Sequence, residues 1–249
     1  MLIEYSPSEP LFTFLSKAFS SIYLFFTIIA YIGNGLIVVA TMRSSKLKNS
    51  CNILIAISSF NDIIMQMSHF FFAYFAFTET LVSFRECFYV NIVFTSSMDF
   101  STLLMLFIAL DRFISGIYPN SYKSLNQFYY VGGIILLGIS YATLFRIVAY
   151  TGLTDDLTQC FITQGMTGNI VYAVAIGSLG LLITSDRKLI LLIEMTGGIS
   201  ANINIAAPFF IYYSRSTLYR EELRKLFSFK KKGNEVSAAS RSYGIPCPK

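Results

Sequence analysis

Long apolar runs separated by short polar stretches dominate the chain, at about residues 18–42, 52–77, 88–110, 129–150, 167–184 and 189–213. Several exceed the ~18 apolar residues that mark a helix able to cross a bilayer. None shows the alternation over roughly ten residues that a membrane β-barrel requires. The pattern predicts an all-α fold, a polytopic transmembrane helix bundle with six spans, the third continuing as helix to about residue 117. Ser216–Phe229 is patterned differently. Tyr219, Leu223, Leu226 and Phe227 share one face and Arg220, Glu221, Arg224 and Lys225 the other, which predicts an amphipathic helix lying in the membrane interface. No internal repeat and no Pro/Ser-rich linker divides the runs. The expected layout is an external tail (1–17), the bundle (18–213), the interfacial helix (214–229) and a disordered basic tail (230–249). Lys230, Lys231 and Lys232 in that tail can attract anionic membrane lipid at about 1 kcal/mol per charge.

Composition agrees: 54% of residues are hydrophobic and 13% charged, the latter about half the ~25% usual in soluble domains. The net charge of +5 is no nucleic-acid signal, because the excess sits in short loops and the tail. The first loop carries Arg43, Lys46 and Lys48, the second Glu79, Arg85 and Glu86, the third Arg112 and Lys123, the fourth Asp155 and Asp156. Basic and acidic loops alternate, which puts the first loop in the cytoplasm and the N-terminus outside; the plasma membrane is the location expected for this integral membrane protein. Met1–Pro10 holds Glu4 and Glu9 but no basic residue, so the first span is expected to act as an uncleaved signal. One conflict remains. Six spans from an outside N-terminus leave the C-terminus outside, yet the tail after the last span is the most basic part of the chain. Either a helix is missing between Thr184 and Leu189, or 167–184, with Gly177 and Gly180, does not cross; the first is the reading preferred here.

Few polar residues interrupt the spans, and each needs a reason. Asp111-Arg112-Phe113 closes the third run, and Cys87 stands 24 residues before Asp111, about 36 Å along a helix. A thiol therefore marks one membrane face and an acid–base pair the other. Arg112 reads either as a helix-end charge paired with Asp111 or as a signalling latch. Asp62 reads either as a hydrogen-bond partner of Asn34 or as a sodium-linked switch. Asp99 has Ser96 and Thr102 three residues to either side; it can contact a polar or cationic ligand or be satisfied by those hydroxyls. His69, the only histidine, lies seven residues after Asp62 and lacks a second ligand at metal-binding spacing. Cys87 and Cys160 flank spans on the same face and can pair if that face is oxidising, whereas Cys51 and Cys247 fall on the other side and read as reduced thiols. Walker, dinucleotide-binding and nucleophile-elbow signatures are absent, and no enzyme activity is expected.

Taken together these residues resemble the rhodopsin-like G-protein-coupled receptor superfamily, and within it the Srsx group of nematode serpentine chemoreceptors. The strings that carry the resemblance are Gly33-Asn34-Gly35, Asn52 through Asp62, Leu110-Asp111-Arg112-Phe113, and Pro208-Phe209-Phe210-Ile211-Tyr212-Tyr213-Ser214 leading into Tyr219-Arg220. The resemblance covers about 18–184 and 189–229. It implies a seven-helix fold and a disulfide between Cys87 and Cys160. It further implies a coupling switch at Asp111, Arg112 and Tyr212, and a polar core at Asn34 and Asp62 with a sodium ion possible at Asp62. The partners it implies are a small-molecule or peptide ligand and a heterotrimeric G protein. First candidates for the ligand pocket are Asp99, Phe94, Met98 and His69. Phe94 stands where amine receptors of the family carry an acid, which argues against a biogenic amine.

Departures from the family accompany these matches. The chain has no tryptophan, and Pro208-Phe209 replaces Asn-Pro. Only 52 residues separate Cys160 from Tyr212, too few for two loops and three spans. By this alignment 167–184 stands as a fifth span, 189–213 ends as a seventh, and the sixth helix is missing. In the family that helix swings outward to admit the G protein. The rival reading is therefore a truncated, non-signalling membrane protein, from a splice form or a decaying gene. A transporter or channel would show paired repeats or broken helices at the midplane, and none is detectable.

Overall fold

The computed structural model describes residues 10–153, 155, 157, 158, 160 and 187–227. The expected fifth span, 167–184, and the tail 230–249 lie outside the described residues, as does Cys247.

The first run forms α1 (Pro10–Arg43), which starts earlier than its apolar stretch because Ser16 and Ser20 are buried on its packed face. A three-residue 3-10 turn at Ser45–Leu47 leads to α2 (Ser50–Gln66), capped by the Asn49 side chain, which accepts from the Asn52 amide. The expected span 52–77 divides here. Met67 separates α2 from α3 (Ser68–Thr78), its amide reaching the Ile64 carbonyl at 3.1 Å while the Phe70 amide reaches Met67 at 3.2 Å. These are tight three-residue turns within an otherwise helical path. Glu79, in the left-handed region at φ 55°, ends α3.

Strand β1 (Val82–Ser83) leads directly into α4 (Phe84–Ile117). Ser83 and Glu86 form a reciprocal capping box at its start. Its 34 residues give about 51 Å of helix, well beyond the ~30 Å hydrocarbon core. After Tyr118 come α5 (Pro119–Ser124), with proline in its first turn, and α6 (Gln127–Thr151), capped by Asn126. Strand β2 (Leu157–Thr158) pairs antiparallel with β1, Val82 opposite Thr158 and Ser83 opposite Leu157. The run expected as the last span forms α7 (Arg187–Arg215), followed by α8 (Thr217–Phe227).

The packing order is α7, α1, α2 with α3, α4, α6. Large apolar side chains on the outer faces are exposed, among them Phe25, Ile28 and Ile32 of α1 and Leu136, Leu137 and Leu144 of α6. Such surfaces suit lipid contact and not water. Among the described helices, α1 over Thr13–Arg43, α4 and α6 are long and apolar enough to cross a membrane; α2 and α3 fall short because Met67 splits their run. The molecule is an all-α serpentine helical bundle. Helix α8 docks on the bundle: Tyr219 and Leu223 are buried with Ile37, Ala40, Leu47, Cys51 and Ile55, and Tyr219 shares a 3.2 Å hydrogen bond with Thr41.

Helix α7 lies close to α1 at Gly33, where an added Cβ would stand 2.7 Å from the Phe209 Cβ, whereas Gly35 faces open space. Gly33→Val is therefore expected to push α7 away and lower stability by about 1–3 kcal/mol. Gly35→Ala should be neutral or raise stability by about 0.5–1 kcal/mol through helix propensity. Thermal unfolding in detergent micelles separates the two; equal effects would remove the close-approach argument.

Candidate functional site

Helix α4 carries polar groups at both ends and in its middle. At one end Cys87 is bonded to Cys160 across 73 residues of sequence, as expected, with Cα atoms 5.4 Å apart. Asn91, one turn on, points its amide at both sulfurs, 3.5 Å from Cys87 and 3.0 Å from Cys160. The β1–β2 ladder sits over this end. Arg85 and Asp155 pair at 2.8 Å and Lys17 and Glu79 at 2.6 Å. The guanidinium beside Asp155 holds its carboxyl below the usual carboxylate range. This pairing is complete above that range and is lost as pH falls through the lowered value.

At the opposite end Asp111 is fully buried and Arg112 is 33% exposed, with their side chains 2.5 Å apart. The second Asp111 oxygen accepts from the Tyr122 hydroxyl of α5 at 2.7 Å. Burial, and then the hydrogen bond to Asp111, hold the Tyr122 phenol well above its usual value. A carboxylate thus ties the arginine of α4 to the short helix that follows. The sequence reading missed Tyr122; its one signal was an aromatic eleven residues after Asp111, returned by the Tyr118-Pro119 turn. Tyr212 of α7 packs against Tyr219 of α8 with tilted rings, centroids 5.3 Å apart.

Between the ends, Asp62 is buried and accepts from Ser101 of α4 at 2.9 Å. Neighbouring Asn61 donates to Ser101 at 2.7 Å and to the Ser97 carbonyl. Asn34 donates to the Ile205 carbonyl of α7 at 3.4 Å. The Asn34–Asp62 hydrogen bond weighed from the sequence is thus replaced by two others, because each side chain faces a different neighbouring helix. Asp62 lines a cavity of about 180 Å³ with Ser58, Ser59, Asn204, Pro208 and Tyr212. One carboxylate among hydroxyls and an amide suits a singly charged hard cation. Among the described residues no group of three or more His, Cys, Asp or Glu side chains is placed to hold a metal.

Asp99 is fully buried, and its partner is neither of the flanking hydroxyls. Ser96 and Thr102 donate to their own helix, to the Ile92 and Met98 carbonyls. Asp99 instead pairs with Arg146 of α6 at 2.5 Å, and Arg146 also donates to Thr95 at 2.8 Å. Sequence reasoning missed Arg146, a lone cation in an apolar run. The other pocket candidates spread over different neighbours. Phe94 meets Phe71 of α3 in a tilted ring contact at 5.5 Å, Met98 packs against Ala30, Met65, Ile205 and Ala206, and His69 lies 5.1 Å from the Tyr23 ring of α1. Adjacent residues on a helix diverge by about 100°, so Met98 and Asp99 face different helices.

The family model for the serpentine type 7TM GPCR chemoreceptor Srsx matches residues 27–175. That range runs from mid-α1 past Cys160 and takes in Asn34, Asp62, Asp99, Asp111, Arg112 and Arg146. No similar sequence was found among curated proteins. With more than half of its length matched, and a disulfide and an acid–base pair closing the two ends of one long helix, the chain belongs to the Srsx family of serpentine seven-helix G-protein-coupled chemoreceptors.

Proposed function

We propose that the protein is a plasma-membrane chemoreceptor, with its N-terminus and disulfide outside, that binds a small molecule or peptide and signals to a heterotrimeric G protein at the Asp111 end. The observation that carries this reading is α4 itself. One rigid helix links the covalently anchored end at Cys87 to the Asp111–Arg112–Tyr122 cluster. A ligand favouring one arrangement of the bundle shifts the population of the other end by its difference in affinity. Arg43, Lys46 and Lys48, and Arg215, Arg220, Arg224 and Lys225 around α8, support a cytoplasmic location for the Asp111 end. The cavity at Asp62 offers oxygen ligands for a sodium ion that would hold α2, α4 and α7 in one arrangement.

Arg112→Ala is expected to abolish coupling while surface expression persists, since Arg112 is partly exposed and Asp111 keeps Tyr122 as donor. A second-messenger assay beside surface labelling reads both; unchanged coupling would leave Arg112 as a helix-end charge alone.

The second reading, a non-signalling form, is favoured by the sequence separation of only 52 between Cys160 and Tyr212. An epitope after Lys249, probed in intact and permeabilised cells, tests the topology. A tail reached only after permeabilisation means an odd number of spans, seven with a recovered helix or five if 167–184 does not cross, and only seven keeps the signalling topology. A tail reached in intact cells means an even number of spans and sinks coupling through this form.

A further inference from the structure

We propose that Arg146 is the anchor of a binding site for a small carboxylic acid, which displaces Asp99 from the guanidinium. The site gives a ligand class to the chemoreceptor reading and rests on it for its biological role, though not for the binding itself.

Arg146 is buried within α6 and donates Nη1 to Thr95 and Nη2 to Asp99. A guanidinium has five N–H donors. The Arg146 Nε is buried with no acceptor. Asp99 therefore holds this group through one nitrogen of its fork, and an N–H on the edge a carboxylate would bridge is unused. A carboxylate seated across Nε and a neighbouring Nη makes two parallel hydrogen bonds, the geometry for which arginine is the preferred partner. Toward the disulfide, Tyr150 lies one turn along α6 and its ring stands 6.3 Å from Phe88. Asn91 faces the same seam with its Oδ1 buried and lacking a donor. The buried Phe88 ring gives the seam an apolar wall beside the guanidinium, which suits an acid with an apolar body.

Charge conservation specifies the exchange. The Asp99–Arg146 pair is neutral as a unit, and adding an anion to it would leave a net charge in a buried place. An acid that enters neutral passes its proton to the Asp99 carboxylate. Its own carboxylate then takes the guanidinium, and the O–H bond lost in the ligand is regained in Asp99. The site thus contains one cation and one anion before and after. Asn at position 99 imitates the protonated state and removes the internal competitor.

The test is equilibrium binding of labelled benzoate to purified protein in detergent micelles, with benzamide as its uncharged counterpart. Benzoate should bind saturably to the wild type and benzamide should not. Asp99→Asn should bind benzoate at least fivefold more tightly and regain thermal stability from it. Arg146→Gln should lose binding at least tenfold. Should either single variant fail to fold, the Asp99→Asn/Arg146→Gln double variant, which has no buried charge at this position, serves as the non-binding control. Equal binding of benzoate and benzamide to wild type, or of benzoate to wild type and the double variant, overturns the site. Benzoate binding that gives no second-messenger response in cells supports the site and counts against the signalling reading instead.

Discussion

Replacing Asp99 with alanine is expected to destabilise the bundle by about 3–5 kcal/mol, the cost of leaving one partner of a buried ion pair uncompensated. Arg146 has nowhere else to place its charge. It is 7% exposed in its side chain, its remaining hydrogen-bond partner among the described residues is the Thr95 hydroxyl, and α6 presents exposed apolar residues on either side of it. Arg146→Met should cost a similar amount by stranding the carboxylate. The double change Asp99→Leu/Arg146→Met should recover most of the loss, because desolvation of two ions offsets most of their attraction. Thermal unfolding in micelles of the two single variants and the double gives the coupling directly. Additive losses would show that the two side chains act independently and would remove the pair as a unit of stability.

Loss of the disulfide should be comparable. Closing a loop over a sequence separation of 73 stabilises by about 4.5 kcal/mol on the chain-entropy estimate. Helices that persist in micelle-unfolded protein already restrict that loop, so the figure is an upper bound. Cys160→Ser would also remove the sulfur that faces Asn91 and untie the segment carrying β2 from the start of α4. Cys87→Ser/Cys160→Ser is therefore expected to unfold at lower temperature and reach the cell surface poorly. Nonreducing peptide mapping of surface-localised wild type should recover the two peptides linked; two reduced thiols there would refute the bond.

The membrane runs were legible because lipid demands a long apolar stretch whatever the neighbours are. Helices α4 and α6 sit within a few residues of their runs, and the α4 start is written in Ser83 and Glu86. The division at Met67 was only faintly legible. Gln66, Ser68 and His69 interrupt the apolar run beside it, but no Gly or Pro stands there, and the backbone marks it with two hydrogen bonds that span three residues instead of four. Polar pairing was legible in part. Arg112 beside Asp111 and Cys87 with Cys160 follow from place along the chain. Which helix each remaining side chain faces depends on rotation, and a run of apolar residues does not encode it. Hence Asp62 meets Ser101 and Asn34 meets a carbonyl of α7. Arg146 was hidden by averaging, yet one rule would have found it: a lone acid and a lone base on neighbouring spans seek each other.

Cys87, Asn91, Thr95 and Asp99 recur every fourth residue along α4, all buried. Four residues turn a helix about 40° past a full revolution, so the series winds gradually around α4. The segment at Cys160 covers its beginning and Arg146 its end. Helix length between the disulfide and Asp99 is thereby set as a phase. One residue inserted between Asn91 and Thr95 would swing Asp99 by about 100° away from α6, whereas four would turn it by only about 40°. A single-residue insertion should therefore turn Asp99 away from Arg146, and a four-residue one, although it keeps the face, carries Asp99 about 6 Å along the axis and should break the pair as well.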